Sequence, residues 1–81
     1  MPQVEDEIRR ILAANAKLTI AASDLTDETD LFNVGMTSYA TVSVMTAIEE
    51  HFGMMFPDDQ IRRSTFQTIS AMAAALRSLQ P

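Results

Sequence analysis

The sequence predicts an all-α fold: a four-helix bundle of three longer helices and one short one, with a long first loop. Three observations carry that prediction. Apolar residues recur at helical spacing in three separate stretches, within residues 4–12, 41–52 and 66–76. Between the first and second of these, residues 16–37 show no sustained period of either kind. The chain has 81 residues, enough for one core and too few for two, so residues 1–81 are expected to form a single domain.

The elements follow in order. Residues 1–3 should fray, with Pro2 suited to the first helical position. Val4, Ile8, Ile11 and Leu12 then fall at i, i+4, i+7 and i+8, one face of a helix that should end near Asn15. Glu5, Asp6 and Glu7 lie in its first turn and Arg9 and Arg10 further on, the order the helix dipole favours. In residues 16–37, Leu18, Ile20, Leu25, Leu31 and Phe32 are scattered apolar anchors among Ser, Thr and Asp. A connection this long packs with its own side chains or serves a function. It is read as a loop pinned by Leu25, Leu31 and Phe32, with Ser23-Asp24-Leu25 starting one short turn. The acidic run fails as a calcium loop: counted from Asp24, the sixth position is Thr29, not Gly, and the twelfth is Gly35, not Glu.

The next helix is expected over residues 39–52. Thr41, Val44, Met45, Ile48 and Phe52 share one side, while Tyr39, Ser43, Thr46 and Glu50 share the opposite one. Gly53 suits the position just past the helix end. Met54, Met55 and Phe56 lead to Pro57, and Asp58-Asp59 then favours a turn or one-turn helix through residue 63. Ser64 or Thr65 should open the last helix, with Ser64 and Gln67 as a capping box. Phe66, Ile69, Met72, Ala73 and Leu76 supply its apolar face to about Leu79, leaving Pro81 loose. The expected core is Val4, Ile8, Ile11, Leu12, Leu25, Leu31, Phe32, Val44, Met45, Ile48, Phe52, Ile61, Phe66, Ile69, Met72 and Leu76.

Composition narrows the function. The net charge is −5, and between Lys17 and Arg62 there is no Lys or Arg at all. Eight acids fall in that interval: Asp24, Asp27, Glu28, Asp30, Glu49, Glu50, Asp58 and Asp59. Nucleic acid and anionic membrane are therefore poor partners, and a basic protein surface is the natural complement. With no cysteine there is no disulfide, thiolate metal site or Cys nucleophile. No apolar run approaches membrane-spanning length, and no basic segment precedes an apolar one at the start, which fits a cytoplasmic protein. His51 stands without Cys or a carboxylate partner motif and reads as a surface histidine late in a helix. Glu49 and Glu50, adjacent on a helix, point about 100° apart and do not form an acid–base pair. No catalytic constellation emerges, so the chain is not expected to be an enzyme.

One stretch does carry chemistry: Val34-Gly35-Met36-Thr37-Ser38-Tyr39. Gly35 permits positive φ and close backbone approach. The first N–H groups of the following helix lack intrahelical partners, and with the dipole they favour an anion, so a phosphate ester on Ser38 would sit well there. Alternatively, Thr37 or Ser38 only caps the helix.

Gly35-Met-Thr-Ser-Tyr, the helix end Ile48-Glu-Glu-His-Phe and the turn Phe56-Pro-Asp-Asp together resemble an acyl or peptidyl carrier protein. The resemblance runs over residues 4–79. It implies that Ser38 carries 4′-phosphopantetheine, whose thiol holds cargo as a thioester, as in fatty acid or secondary metabolite biosynthesis. The implied partners are a phosphopantetheinyl transferase, an acyl- or aminoacyl-loading ligase and downstream synthase enzymes with basic docking surfaces. They would read Thr37, Tyr39, Ser43, Thr46, Glu49 and Glu50 on a monomer. The family usually has Asp immediately before the modified serine, where this chain has Thr37. That departure, with Ser38-Tyr-Ala instead of Ser-Leu-Asp, looks like the branch loaded with an amino acid by ligases resembling class II tRNA synthetases. The competing function class is an unmodified helical module that binds partners through its acidic face.

Overall fold

The computed structural model describes residues 3–79. Its helices are α1 (Val4–Asn15), α2 (Ser38–Phe52), α3 (Arg63–Phe66) and α4 (Ile69–Leu79), with single 3-10 turns at Ala22–Asp24 and Asp58–Gln60. The all-α bundle of three longer helices, one short one and a long first loop is thus as expected. The expectations for Met1, Pro2 and Pro81 lie outside the described residues.

The periodic positions of α1 drive its packing: Ile8 and Leu12 are fully buried and Ile11 nearly so. This face lies against α2 and α4. Polar contacts border these helix faces. Arg77 on α4 donates to both Glu5 oxygens at 2.8 and 2.9 Å, and His51 Nε2 on α2 lies 3.0 Å from Glu7 Oε2. His51 is exposed, as expected, but it also bridges two helices.

The long loop is held by Leu25, Leu31 and Met36, all buried, and by backbone bonds into the far end of the chain. The Leu31 N–H donates to the Gln67 carbonyl at 2.8 Å, and the Ser70 N–H donates to the Asp27 carbonyl at 2.9 Å. Asp30 adds a brace, accepting from Gln67 Nε2 at 3.0 Å and from the Phe32 N–H at 3.0 Å. The expected turn at Ser23-Asp24-Leu25 is present, one residue early, as Ala22–Asp24.

These bonds correct the last helix. It does not run unbroken from Ser64 or Thr65, because the Gln67 carbonyl is turned towards Leu31. In an unbroken helix that carbonyl would accept from the Ala71 N–H. Instead Ala71 N–H donates to Thr68 Oγ1 at 2.9 Å, so Thr68 caps α4. The Ser64–Gln67 capping box is absent for the same reason: the Gln67 side chain is committed to Asp30, and no side chain caps α3. The Asp58–Gln60 turn also stops short of residue 63, since Arg62 is extended and Arg63 already belongs to α3.

Most of the expected core is buried, and Val4, Phe32, Met45 and Phe52 pack partly buried against it. Ile61 is the correction, at 46% exposure, because the extended segment at residue 62 carries it out to the surface. Phe56 takes an interior place instead, with its ring edge-on to Phe66 at 5.3 Å between centroids. Ala40, Ala73 and Ala75 are also buried. No helix among the described residues is long and apolar enough to cross a membrane.

Candidate functional site

The loop delivers residues 37 and 38 to the surface through three local constraints. Gly35 has φ +102, and a Cβ there would stand 3.2 Å from Thr19 Cγ2, so both conformation and space favour glycine. Met36 is buried, with its N–H on the Leu31 carbonyl at 3.0 Å, and anchors the chain one residue later. Thr37 then caps α2: its Oγ1 accepts from the Ala40 N–H at 3.0 Å. Its carbonyl accepts from both the backbone N–H and the hydroxyl of Thr41, at 2.9 and 2.8 Å. Such a cap stabilises a helix by about 1 kcal/mol.

The two hydroxyl residues of this stretch are placed differently. Thr37 does the capping, which leaves the Ser38 hydroxyl exposed at the first position of α2. The N–H groups of Ser38 and Tyr39 precede any intrahelical acceptor, and with the positive end of the dipole they favour an anion at this end of the helix. The residues present fit a phosphate-linked group.

Beyond Ser38, α2 sorts its faces as the spacing implies. Ala40, Val44 and Ile48 are buried, while Tyr39 is 84% exposed. Tyr39, Ser43, Thr46 and Glu50 line one shallow depression together with Asn15 of α1, Val42 and Ala47. Glu49 stands apart from it. Its Oε2 accepts the Phe56 N–H at 2.9 Å, so this side chain braces the loop after α2. Gly53, in the left-handed conformation at φ 63, ends the helix ahead of that brace.

On the other flank of Ser38 lies a cleft that sequence reading missed, lined by Phe32, Thr41, Val42, Met45, Ile61, Arg62, Arg63 and Phe66 as well as Ser38. The signal was present: Arg62 and Arg63 are the first cations after Lys17. Only the fold brings them beside residue 38.

Comparison with known proteins gives the family. The family described as "Phosphopantetheine attachment site" matches residues 6–76. An aminoacyl carrier protein of Agrobacterium fabrum (strain C58) is 40% identical over 65 residues, covering 80% of this chain and 78% of that protein. A chain in the crystal structure of engineered Bradyrhizobium japonicum glycine:carrier protein ligase, complexed with carrier protein from Agrobacterium tumefaciens and ATP, superposes with TM-score 0.91. It is 34% identical, with 95% of this chain and all of that chain covered (100%). The solution structure of holo acyl carrier protein from Nitrosomonas europaea gives TM-score 0.81 at 32% identity, covering 96% and 95% of the two chains. The chain belongs to the phosphopantetheine-attachment family and is a carrier of acyl or aminoacyl groups on a 4′-phosphopantetheine arm.

Proposed function

We propose that Ser38 is the attachment residue and that the cargo is an amino acid, delivered by a ligase of the kind found with the Agrobacterium carrier. The observation that carries the first part is the exposed Ser38 hydroxyl at the start of α2, freed because Thr37 supplies the cap. The aminoacyl assignment is supported by the relative named as an aminoacyl carrier protein, by the carrier in the glycine ligase complex and by Thr37 in place of the usual Asp.

When bound, the arm supplies the distal thiol that holds cargo as a thioester. The chain's own residues do the rest. Ser38 provides the oxygen for the phosphodiester. The unpaired N–H groups and dipole at the start of α2 stabilise its negative charge. Tyr39, Ser43, Thr46 and Glu50 present a polar stripe beside the attachment point for enzymes to read, with Thr37 at its head. A phosphopantetheinyl transferase, the loading ligase and downstream synthases are the partners, each bringing a basic docking surface to a monomeric single-domain carrier. The chain performs no catalysis itself.

The test is intact mass after expression with a permissive transferase. Wild type should gain the mass of one phosphopantetheine, and Ser38→Ala should stay unmodified with unchanged helix content. Modification persisting in Ser38→Ala would overturn the assignment.

A further inference from the structure

Ser38 stands between two surfaces of opposite character. One is the polar stripe of α2. The other is a cleft of about 250 Å³ with an aromatic and thioether floor, Phe32, Met45 and Phe66, and a rim of Ile61, Arg62 and Arg63. The other arginines, Arg9, Arg10 and Arg77, are each engaged by carboxylates. Arg62 and Arg63 join no salt bridge among the described residues, so the uncommitted guanidinium charge of an acidic protein is gathered beside its attachment serine. Arg63 is already oriented, its guanidinium carbon 3.9 Å from the centroid of the Phe32 ring. Stacking of this kind fixes the plane and leaves the N–H edge available. The neighbouring Asp30 carboxylate is hydrogen-bonded by Gln67 Nε2 and the Phe32 N–H and feels the Arg63 charge only as a lesser influence, without a salt bridge.

We propose that Arg62 and Arg63 bind the phosphodiester of the arm and lay its adjoining apolar segment into this cleft, a resting pose for the carrier. The inference rests on Ser38 as the attachment residue. Charge complementarity argues for it: a guanidinium pairs with phosphate oxygens through shorter, stronger bonds than a neutral donor makes. Apolar lining suits the dimethyl-bearing carbons that follow the phosphate. The cleft, about 250 Å³ in volume, has room for this segment. The same arginines repel a cation. The ammonium of an aminoacyl thioester therefore stays outside the cleft, presented to enzymes while the middle of the arm is held.

The experiment compares apo and holo protein by NMR, with mass spectrometry first establishing that the arm is on Ser38. Converting apo to holo should shift the Arg62 and Arg63 side-chain Nε–H signals. The dimethyl protons of the arm should show nuclear Overhauser contacts to Phe32 and Ile61. In holo Arg62→Gln/Arg63→Gln, those contacts should be lost while the mass and far-UV dichroism stay unchanged. Holo protein with unshifted arginine signals, or contacts that survive in the double variant, would overturn the proposal. No mass gain at all would instead overturn the attachment assignment, and this inference with it.

Discussion

The Glu49 carboxylate holds the backbone of Phe56: Oε2 accepts the Phe56 N–H at 2.9 Å across the turn that follows α2. Phe56 is only 4% exposed and sits edge-on to Phe66, so this bond fixes where the chain re-enters the core after Gly53. Glu50, one residue on, is exposed and lines the depression beside Tyr39. Two adjacent acids, alike in sequence, thus do different work.

Their separation predicts opposite phenotypes. Glu49→Lys removes a charge-assisted bond to a partly buried N–H and should cost about 1.5–3 kcal/mol. Glu50→Lys should change stability by no more than about 0.5 kcal/mol. Urea unfolding followed by circular dichroism checks both. Equal, small losses would show that the Glu49 bond contributes nothing.

For partner association the order reverses. Glu50→Lys places a cation in the outward stripe and should slow association with a loading ligase and flatten its dependence on salt. A glycine ligase of the Bradyrhizobium type is the enzyme to try. Association rates measured at low and moderate ionic strength decide it: identical rates and salt slopes would mean the stripe is only solvated.

The contrast between these two glutamates marks what the sequence could disclose. Helical faces were legible because each long helix must bury a stripe, and Ile8, Leu12, Val44, Ile48, Ile69, Met72 and Leu76 announce theirs by spacing alone. The local structure of residues 35–38 was legible because its parts are close in sequence: Gly35, the Thr37 cap and Ser38 lie within four positions. The Glu49 brace was not, since a helical wheel describes one helix and its acceptor role depends on where Phe56 returns. The break between α3 and α4 was hidden for a similar reason. It is imposed by Leu31 N–H on the Gln67 carbonyl, a bond between residues far apart in the chain. The arginine-rimmed cleft likewise needs residues 32, 38, 61, 62 and 63 folded together.

Stability should weaken in acid through two particular carboxyls. The Arg77 side chain, by hydrogen bonding, holds Glu5 below its ordinary value. The Gln67 amide does the same for Asp30. A carboxyl lowered in the folded state binds protons more readily when unfolded. Its contribution is therefore present above the ordinary carboxylate values, about pH 4, and is lost as pH falls through the lowered ones. The thermal midpoint should fall along that acid limb. In Glu5→Gln and Asp30→Asn the decline should be shallower than in wild type, starting from a lower midpoint. Variants whose acid limb parallels that of wild type would exclude these two groups as its cause.

Thr37 offers the sharpest separation of fold from recognition. Its Oγ1 on the Ala40 N–H satisfies a group that would otherwise lack a partner at the start of α2, and Asp can accept the same bond. Thr37→Ala should cost about 1 kcal/mol, whereas Thr37→Asp should leave stability and helix content nearly unchanged. The two acceptors differ in charge beside the oxygen proposed for attachment. Asp adds a negative group next to a phosphodiester, and Thr leaves the spot neutral. Thr37→Asp should therefore keep the fold yet shift transferase preference towards the enzyme that serves fatty-acid carriers and lower aminoacylation by the ligase. Loading of holo wild type with malonyl and with amino-acyl groups, each by its dedicated enzyme, gives the reference. Efficient malonyl loading and elongation without amino-acyl transfer would make this an ordinary fatty-acid carrier, and Thr37 a cap with no part in choosing the cargo.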